Sequence, residues 1–228
     1  MQIDSETSVY GQKMRYKAAI FDLDGTLVDS LADLADATNY ALKILGQPCW
    51  DLQAYQQKIG NSINLLISRA LAPDKQHLID KVLEKMSKKY VQICLNKTRP
   101  YDGIPEVIDE LHKRQVKLAV LTNKDQNMAE KIVLHFFDNG RFDTVVGTTT
   151  GNPIKPDPTQ TLQLIDKFKL KPQEAVFVGD SEVDMQTAKA CKIFAVGVSW
   201  GFRSTEVLIE NGADIVIDEP EGIIDLFN

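Results

Sequence analysis

Cysteine is scarce in this chain, and its three residues, Cys49, Cys94 and Cys191, lie far apart with no metal-ligand spacing. That pattern excludes a disulfide framework or a thiolate zinc site and fits reduced thiols in the cytoplasm. Basic charge is not in excess either: 26 Lys and Arg stand against 32 Asp and Glu, a formal net charge of −6. A protein that tracks a polynucleotide needs a basic surface, so nucleic acid is not an expected partner. A small phosphorylated metabolite needs only a few local cations and stays open as one. No apolar run approaches the roughly 20 residues that cross a bilayer, so no membrane partner is expected. Residues 1–15 read as a loosely ordered N-terminal extension. Met1 to Gly11 has neither a basic start nor an apolar centre, so it is not a secretory signal. Internal repeats and low-complexity tracts are missing too.

What is present is an ordinary globular composition, 43% hydrophobic and 25% charged over 228 residues, enough for one large domain or two modest ones. The most informative stretch is Phe21-Asp22-Leu23-Asp24-Gly25-Thr26-Leu27-Val28-Asp29-Ser30. It follows the apolar run Ala18–Phe21, which reads as a buried strand. Residues two apart on an extended chain share a side, so Asp22 and Asp24 converge while Leu23 turns into the core. Gly25 permits the turn that must follow. Two acids in so small a volume repel unless a positive charge lies between them. A divalent cation answers that, and an all-oxygen donor set favours magnesium.

Further runs rich in β-branched residues, Val116–Leu121, Ala175–Val178 and Ile193–Val198, read as buried parallel strands. Thr144–Val146 and Asp214–Ile217 are shorter candidates. Helical spacing falls between them over Pro105–Arg114, Thr159–Phe168 and Asp184–Ala190. Strand alternating with helix predicts an α/β fold with a parallel sheet covered on both faces. Residues 30–99 differ. Leu31, Leu34, Ala35, Ala41, Leu42 and Leu45, then Ile63, Leu66, Ile67 and Ala70, then Leu78, Val82, Met86, Tyr90 and Ile93 all follow a helical period. Gly46-Gln47-Pro48 and Ala72-Pro73-Asp74 break the helices. The division is therefore an extension at 1–15, an α/β core from 16–29 and 100–228, and an all-helical insertion at 30–99.

The strands end in polar groups: Thr122-Asn123-Lys124 after one, Gly179-Asp180-Ser181 and then Asp184 after another, with Lys155-Pro156-Asp157 between them. Open parallel sheets bind ligands outside the carboxyl ends of their strands, so these groups reach one rim.

Asp22-x-Asp24-Gly25-Thr26, Thr122, Lys155 and Gly179-Asp180-Ser181-x-x-Asp184, in that order, resemble the four motifs of the haloacid dehalogenase superfamily. The resemblance implies a Rossmann-like core with a helical cap at 30–99, hinged near Asp29-Ser30 and Thr98 to Gly103. It also implies a magnesium-dependent phosphatase. Asp22 would be the nucleophile that forms an aspartyl-phosphate, and Asp24 the acid and base. Thr122, the backbone N–H groups near Leu23 and Asn123, and Lys155 would hold the phosphoryl group. Magnesium would lie between Asp22, the carbonyl of Asp24 and Asp180, with Asp184 behind or acting through a water. Arg99 to Val107, Leu121 to Lys124, Val198 to Arg203, Ala213-Asp214 and Ile217 to Pro220 are similar to the phosphoglycolate phosphatases in particular. That implies 2-phosphoglycolate as substrate; the sequence does not fix the oligomeric state, which is a monomer or a homodimer. Another small ester (a sugar phosphate, a nucleotide or pyrophosphate) stands as the alternative. A β-phosphoglucomutase or a catalytically silent module is further off.

In the insertion, Ile59-Gly60-Asn61-Ser62 has two readings. Gly60 brings the cap backbone to the substrate, or it ends one helix while Ser62 caps the next. Arg69 either meets a substrate carboxylate or is a solvated helix residue.

Overall fold

The computed structural model describes residues 16–60 and 62–228. The expected N-terminal extension, and Asn61 of the Gly60 loop, lie outside the described residues. In chain order the elements are β1 (Ala18–Phe21), β2 (Val28–Asp29), α1 (Leu31–Ile44), α2 (Leu52–Lys58), α3 (Ile63–Ala70), α4 (Ile79–Ile93), β3 (Arg99–Pro100) and α5 (Ile104–Lys113). There follow β4 (Lys117–Asp125), α6 (Gln126–Phe136), β5 (Thr144–Thr148), α7 (Thr159–Lys167), β6 (Ala175–Gly179), α8 (Glu182–Cys191), β7 (Phe194–Val198), α9 (Thr205–Glu210) and β8 (Ile215–Ile217).

Six parallel strands form one sheet in the order β5-β4-β1-β6-β7-β8. β1 is wholly buried because it runs through the middle with apolar residues on both faces. Its side chains alternate between two apolar layers. Ala19 and Phe21 pack with Ile108 of α5 and Ile132 of α6, while Ala18 and Ile20 pack with Leu164 of α7, Met185 of α8 and Leu208 of α9. The chain runs from β1 outward through β4 to β5, then returns to the other side of β1 for β6, β7 and β8. The carboxyl ends of β4, β1 and β6 therefore meet at the point where the chain reverses, the place where such sheets leave a crevice.

Helices α1–α4 bury a separate apolar cluster that includes Leu42, Tyr55, Leu66, Ile67, Val82 and Met86. This is the helical insertion expected from the period of its apolar residues. Its two ends meet in a short antiparallel ribbon, with Val28 opposite Pro100 and Asp29 opposite Arg99. Just inside, the buried carboxylate of Asp33 accepts from the backbone N–H groups of Lys97 and Thr98 at 3.0 and 2.9 Å and from the Thr98 hydroxyl at 2.8 Å. One side chain on α1 thus ties the outgoing chain to the returning one.

Several boundaries differ from the sequence reading. β4 continues past Leu121 to Asp125, because β5 pairs again at Asp125–Thr148 beyond a register irregularity. The helix before Cys191 begins at Glu182, where Ser181 and Asp184 form a capping box. Helices α2, α6 and α9 are additional. In α2 only Tyr55 is buried, so no apolar stripe announces it.

Candidate active site

Asp22 leaves the end of β1 with its N–H still bonded to the Val178 carbonyl at 2.9 Å, so the sheet itself fixes the start of the turn. Gly25 then takes φ +90°, and a Cβ there would fall 2.3 Å from Oδ2 of Asp180. Only glycine meets both requirements. The Leu23 carbonyl accepts the N–H groups of Leu27 and Val28, each at 3.0 Å, which closes the turn and sends Leu23 into the core.

Asp22, Asp180 and Asp184 bring carboxylate oxygens within 4.8 Å of one another at this rim. Lys155 is the cation among them, with Nζ 2.9 Å from Asp22 Oδ1 and 2.7 Å from Asp184 Oδ1. Asp22 Oδ1 makes no well-aimed hydrogen bond despite that proximity. Burial pushes the Asp22 carboxyl up to about 6; Lys155 opposes the rise, and Asp184 and Asp24 add to it. Burial also holds the Asp180 carboxyl well above its usual range, reinforced by Asp184 and Asp22. Three acids facing one ammonium leave uncompensated negative charge in a buried place, and the donors are all oxygen. The cluster fits a divalent cation.

Each member is held by a different element. Asp180 directly follows β6 and accepts from the Thr26 hydroxyl at 3.2 Å and from the Phe202 N–H at 2.8 Å. Asp184 sits in the first turn of α8, and its Oδ2 accepts from the Ser181 hydroxyl at 2.6 Å. Lys155 lies on the loop before α7. The Asn123 side chain grips its backbone, donating to the Lys155 carbonyl at 2.9 Å and accepting from its N–H at 2.8 Å. Sequence reasoning gave Asn123 a backbone role at the phosphoryl group; its side chain fastens the lysine loop to β4.

Asp24 has its own partners. Nζ of Lys124 stands 2.8 and 2.9 Å from its two oxygens, and the Ser30 hydroxyl donates to Oδ1 at 2.5 Å. Its charge is therefore compensated separately from that of Asp22. Lys124 and Ser30 were not singled out as site residues from the sequence. The strand alternation that puts Thr122 on the rim also puts Lys124 there, two residues on, and was the available signal.

Asp22, Asp24, Thr122, Asn123, Lys155 and Asp180 all line one chamber of about 430 Å³. The sheet supplies its polar floor. Leu34, Ile63, Leu66, Met86 and Tyr90 of the helical insertion line the opposite wall, and Gly60 lies at its edge. Gly60 has φ +122°, and the Ser62 side chain caps α3 by accepting from the Leu65 N–H. Arg69 is not in the lining; it donates to the Lys58 carbonyl at 3.0 Å, on the exposed side. Arg203 reaches across from the core instead. Nη2 donates to the Ile59 carbonyl at 2.6 Å while Nε donates to Glu182 at 2.9 Å.

Residues 19–198 match the family model described as haloacid dehalogenase-like hydrolase. A Pseudomonas syringae pv. syringae protein named phosphoglycolate phosphatase is 33% identical over 214 residues, 91% of this chain and 78% of that protein. An Aquifex aeolicus protein of the same name is 29% identical over 212 residues, 93% of this chain and 97% of its own length. The crystal structure of a predicted phosphoglycolate phosphatase from Haemophilus somnus superimposes with a TM-score of 0.85 at 29% identity, covering 93% of this chain and 98% of that one.

Proposed function

The chain belongs to the haloacid dehalogenase-like hydrolase family, and from that premise we propose that it hydrolyses small phosphomonoesters through an aspartyl-phosphate on Asp22. The observation that carries this reading is the position of Asp22. It is buried at the end of the central strand, faces Lys155, and opens into a chamber that also holds Asp24 and Thr122.

A carboxylate oxygen of Asp22 attacks phosphorus, and the bond from phosphorus to the ester oxygen breaks. Asp24 gives its proton to that leaving oxygen, and the alcohol departs. Water then attacks the phosphorus of the aspartyl-phosphate. Asp24 takes a proton from the water, and the electron pair of the breaking bond returns to the Asp22 carboxylate. The sum is ester plus water to alcohol plus phosphate, with both aspartates regenerated. Lys155 contributes fixed positive charge beside Asp22, and Thr122 donates to a phosphoryl oxygen. Magnesium is the proposed ion, held by Asp22, Asp180 and the Asp24 carbonyl with Asp184 behind them. When bound, it offsets the repulsion between the nucleophile and the phosphate dianion.

The names of the relatives make 2-phosphoglycolate the first substrate to test. A second reading, a larger uncharged leaving group, is favoured by the apolar wall of Leu34, Ile63, Leu66 and Met86. The three free thiols support a cytoplasmic setting. The test is phosphate release from a panel of esters, with magnesium and with chelator, using wild type and Asp22→Asn. Metal-dependent release lost in Asp22→Asn supports the mechanism; near-normal release by that variant sinks it. Preference within the panel decides the substrate.

A further inference from the structure

Lys124 is a buried ammonium that the mechanism above leaves without a task. Its side chain is 7% exposed, and Nζ straddles both oxygens of Asp24 at 2.8 and 2.9 Å. On the opposite side Nζ lies 4.8 Å from the centre of the Tyr90 ring. Tyr90 belongs to α4 of the helical insertion, whereas Asp24 and Lys124 belong to the sheet core. The ammonium lies over the Tyr90 ring, and the buried Tyr90 hydroxyl is near enough to Lys124 to interact with it as well.

A buried ammonium is costly unless it is paired, and here the pair is bidentate on one carboxylate. Such a clamp removes rotation of the Asp24 carboxyl, and the Ser30 hydroxyl at 2.5 Å removes more. Proton transfer to a leaving oxygen depends on that orientation. We propose that Lys124 is a positioning residue that holds the Asp24 carboxyl toward the leaving oxygen, and that Tyr90 makes the hold depend on the insertion being seated over the core. The proposal rests on the acid–base reading of Asp24 given above.

The readout is dependence on the leaving group. An alkyl phosphate needs a proton on its departing oxygen, whereas 4-nitrophenyl phosphate scarcely does. kcat/KM reports the first transfer for both. Lys124→Gln is expected to lower kcat/KM about 100-fold on an alkyl phosphate and less than about 5-fold on the nitrophenyl ester, as loss of a general acid would. Lys124→Gln is also expected to add less than about 2-fold on the alkyl ester when Asp24 is already Asn, because the two residues act as one unit. Equal losses on both esters, or a full additional loss in the Asp24→Asn background, overturn the proposal. Should Lys124→Gln fail to fold, Tyr90→Leu decides the matter: it keeps an apolar side chain and is expected to reproduce the same selective loss at about 10-fold. Asp24→Asn separates the two layers of argument. If it fails to discriminate between the esters, the acid–base reading falls and this proposal with it. If it discriminates and Lys124→Gln does not, this proposal alone falls.

Discussion

A methyl group on Gly60 would come within 2.2 Å of Nη2 of Arg203, the same nitrogen that donates to the Ile59 carbonyl at 2.6 Å. The helical insertion and the core thus touch at a point where backbone meets guanidinium. Gly60→Ala is expected to destabilise the fold by about 1–3 kcal/mol, because φ +122° is a region that side chains resist. It is also expected to lower kcat/KM by displacing Arg203 from Ile59. Urea denaturation and steady-state kinetics check both; a variant unchanged in stability and rate removes Gly60 from the argument.

The buried acids predict a pH dependence in metal-free protein. The folded-state pKa of Asp22 is raised from 3.8 to about 6, so between those values the folded protein binds a proton more tightly than the unfolded chain does. Its contribution to stability is therefore most favourable below about pH 4 and declines as pH rises toward 6. Asp180 acts in the same direction. Relative to Asp22→Asn, the metal-free wild type is expected to lose about 2–3 kcal/mol between pH 4 and pH 7.5. Magnesium is expected to restore part of that loss in wild type. Denaturation at the two pH values, with and without the ion, tests it; parallel behaviour of the two proteins would refute it.

Asp33 carries the joint between insertion and core. It is fully buried and accepts from two backbone N–H groups and one hydroxyl of Lys97 and Thr98. Asp33→Ala is expected to cost about 3 kcal/mol, because those donors are left without acceptors. The loss of stability should exceed that of Arg69→Ala, whose exposed contact with Lys58 is worth little. Thermal or urea unfolding of the two variants makes the comparison, and equal effects would contradict it.

Lys131 of α6 donates to the Val91 carbonyl of α4 at 2.7 Å, a further contact between core and insertion. Cysteines placed at 91 and 131, with Cys49 replaced by Ser, and joined by a short crosslinker would fix that contact. Turnover of the joined protein is expected to fall at least about 10-fold through slowed exchange of substrate and product, and to recover when the link is cleaved. Full turnover in a completely linked sample would exclude opening of the insertion as a required step.

The positions of the core groups were legible because each follows a buried apolar run. For Asp22 and Asp180 that run fixes both the strand and its end, whereas Thr122 follows such a run inside β4, which continues to Asp125. The partners of those groups were less legible. Asn123 and Lys124 face neighbours 32 and 100 residues away, and no local period encodes such pairings. Arg203 stayed hidden for the same reason, since its contact with Ile59 spans 144 residues. In the insertion, α1, α3 and α4 announce themselves through apolar stripes. Short α2, which buries only Tyr55, does not. The two readings of Arg69 could be separated only by seeing which way its helix faces.

The two-rung ribbon of Val28–Pro100 and Asp29–Arg99 brings the chain into and out of the insertion at a single place. Departure and return are side by side, so the sheet is indifferent to what lies between them. A different set of helices, or a tight hairpin turn, closes the same gap without stretching β1 or moving Asp22. The core is thus a fixed socket and the insertion an interchangeable head. Recognition can be rewritten between residues 31 and 98 while Asp22, Lys155 and Asp180 stay as they are, so long as a side chain in the place of Tyr90 still meets Lys124.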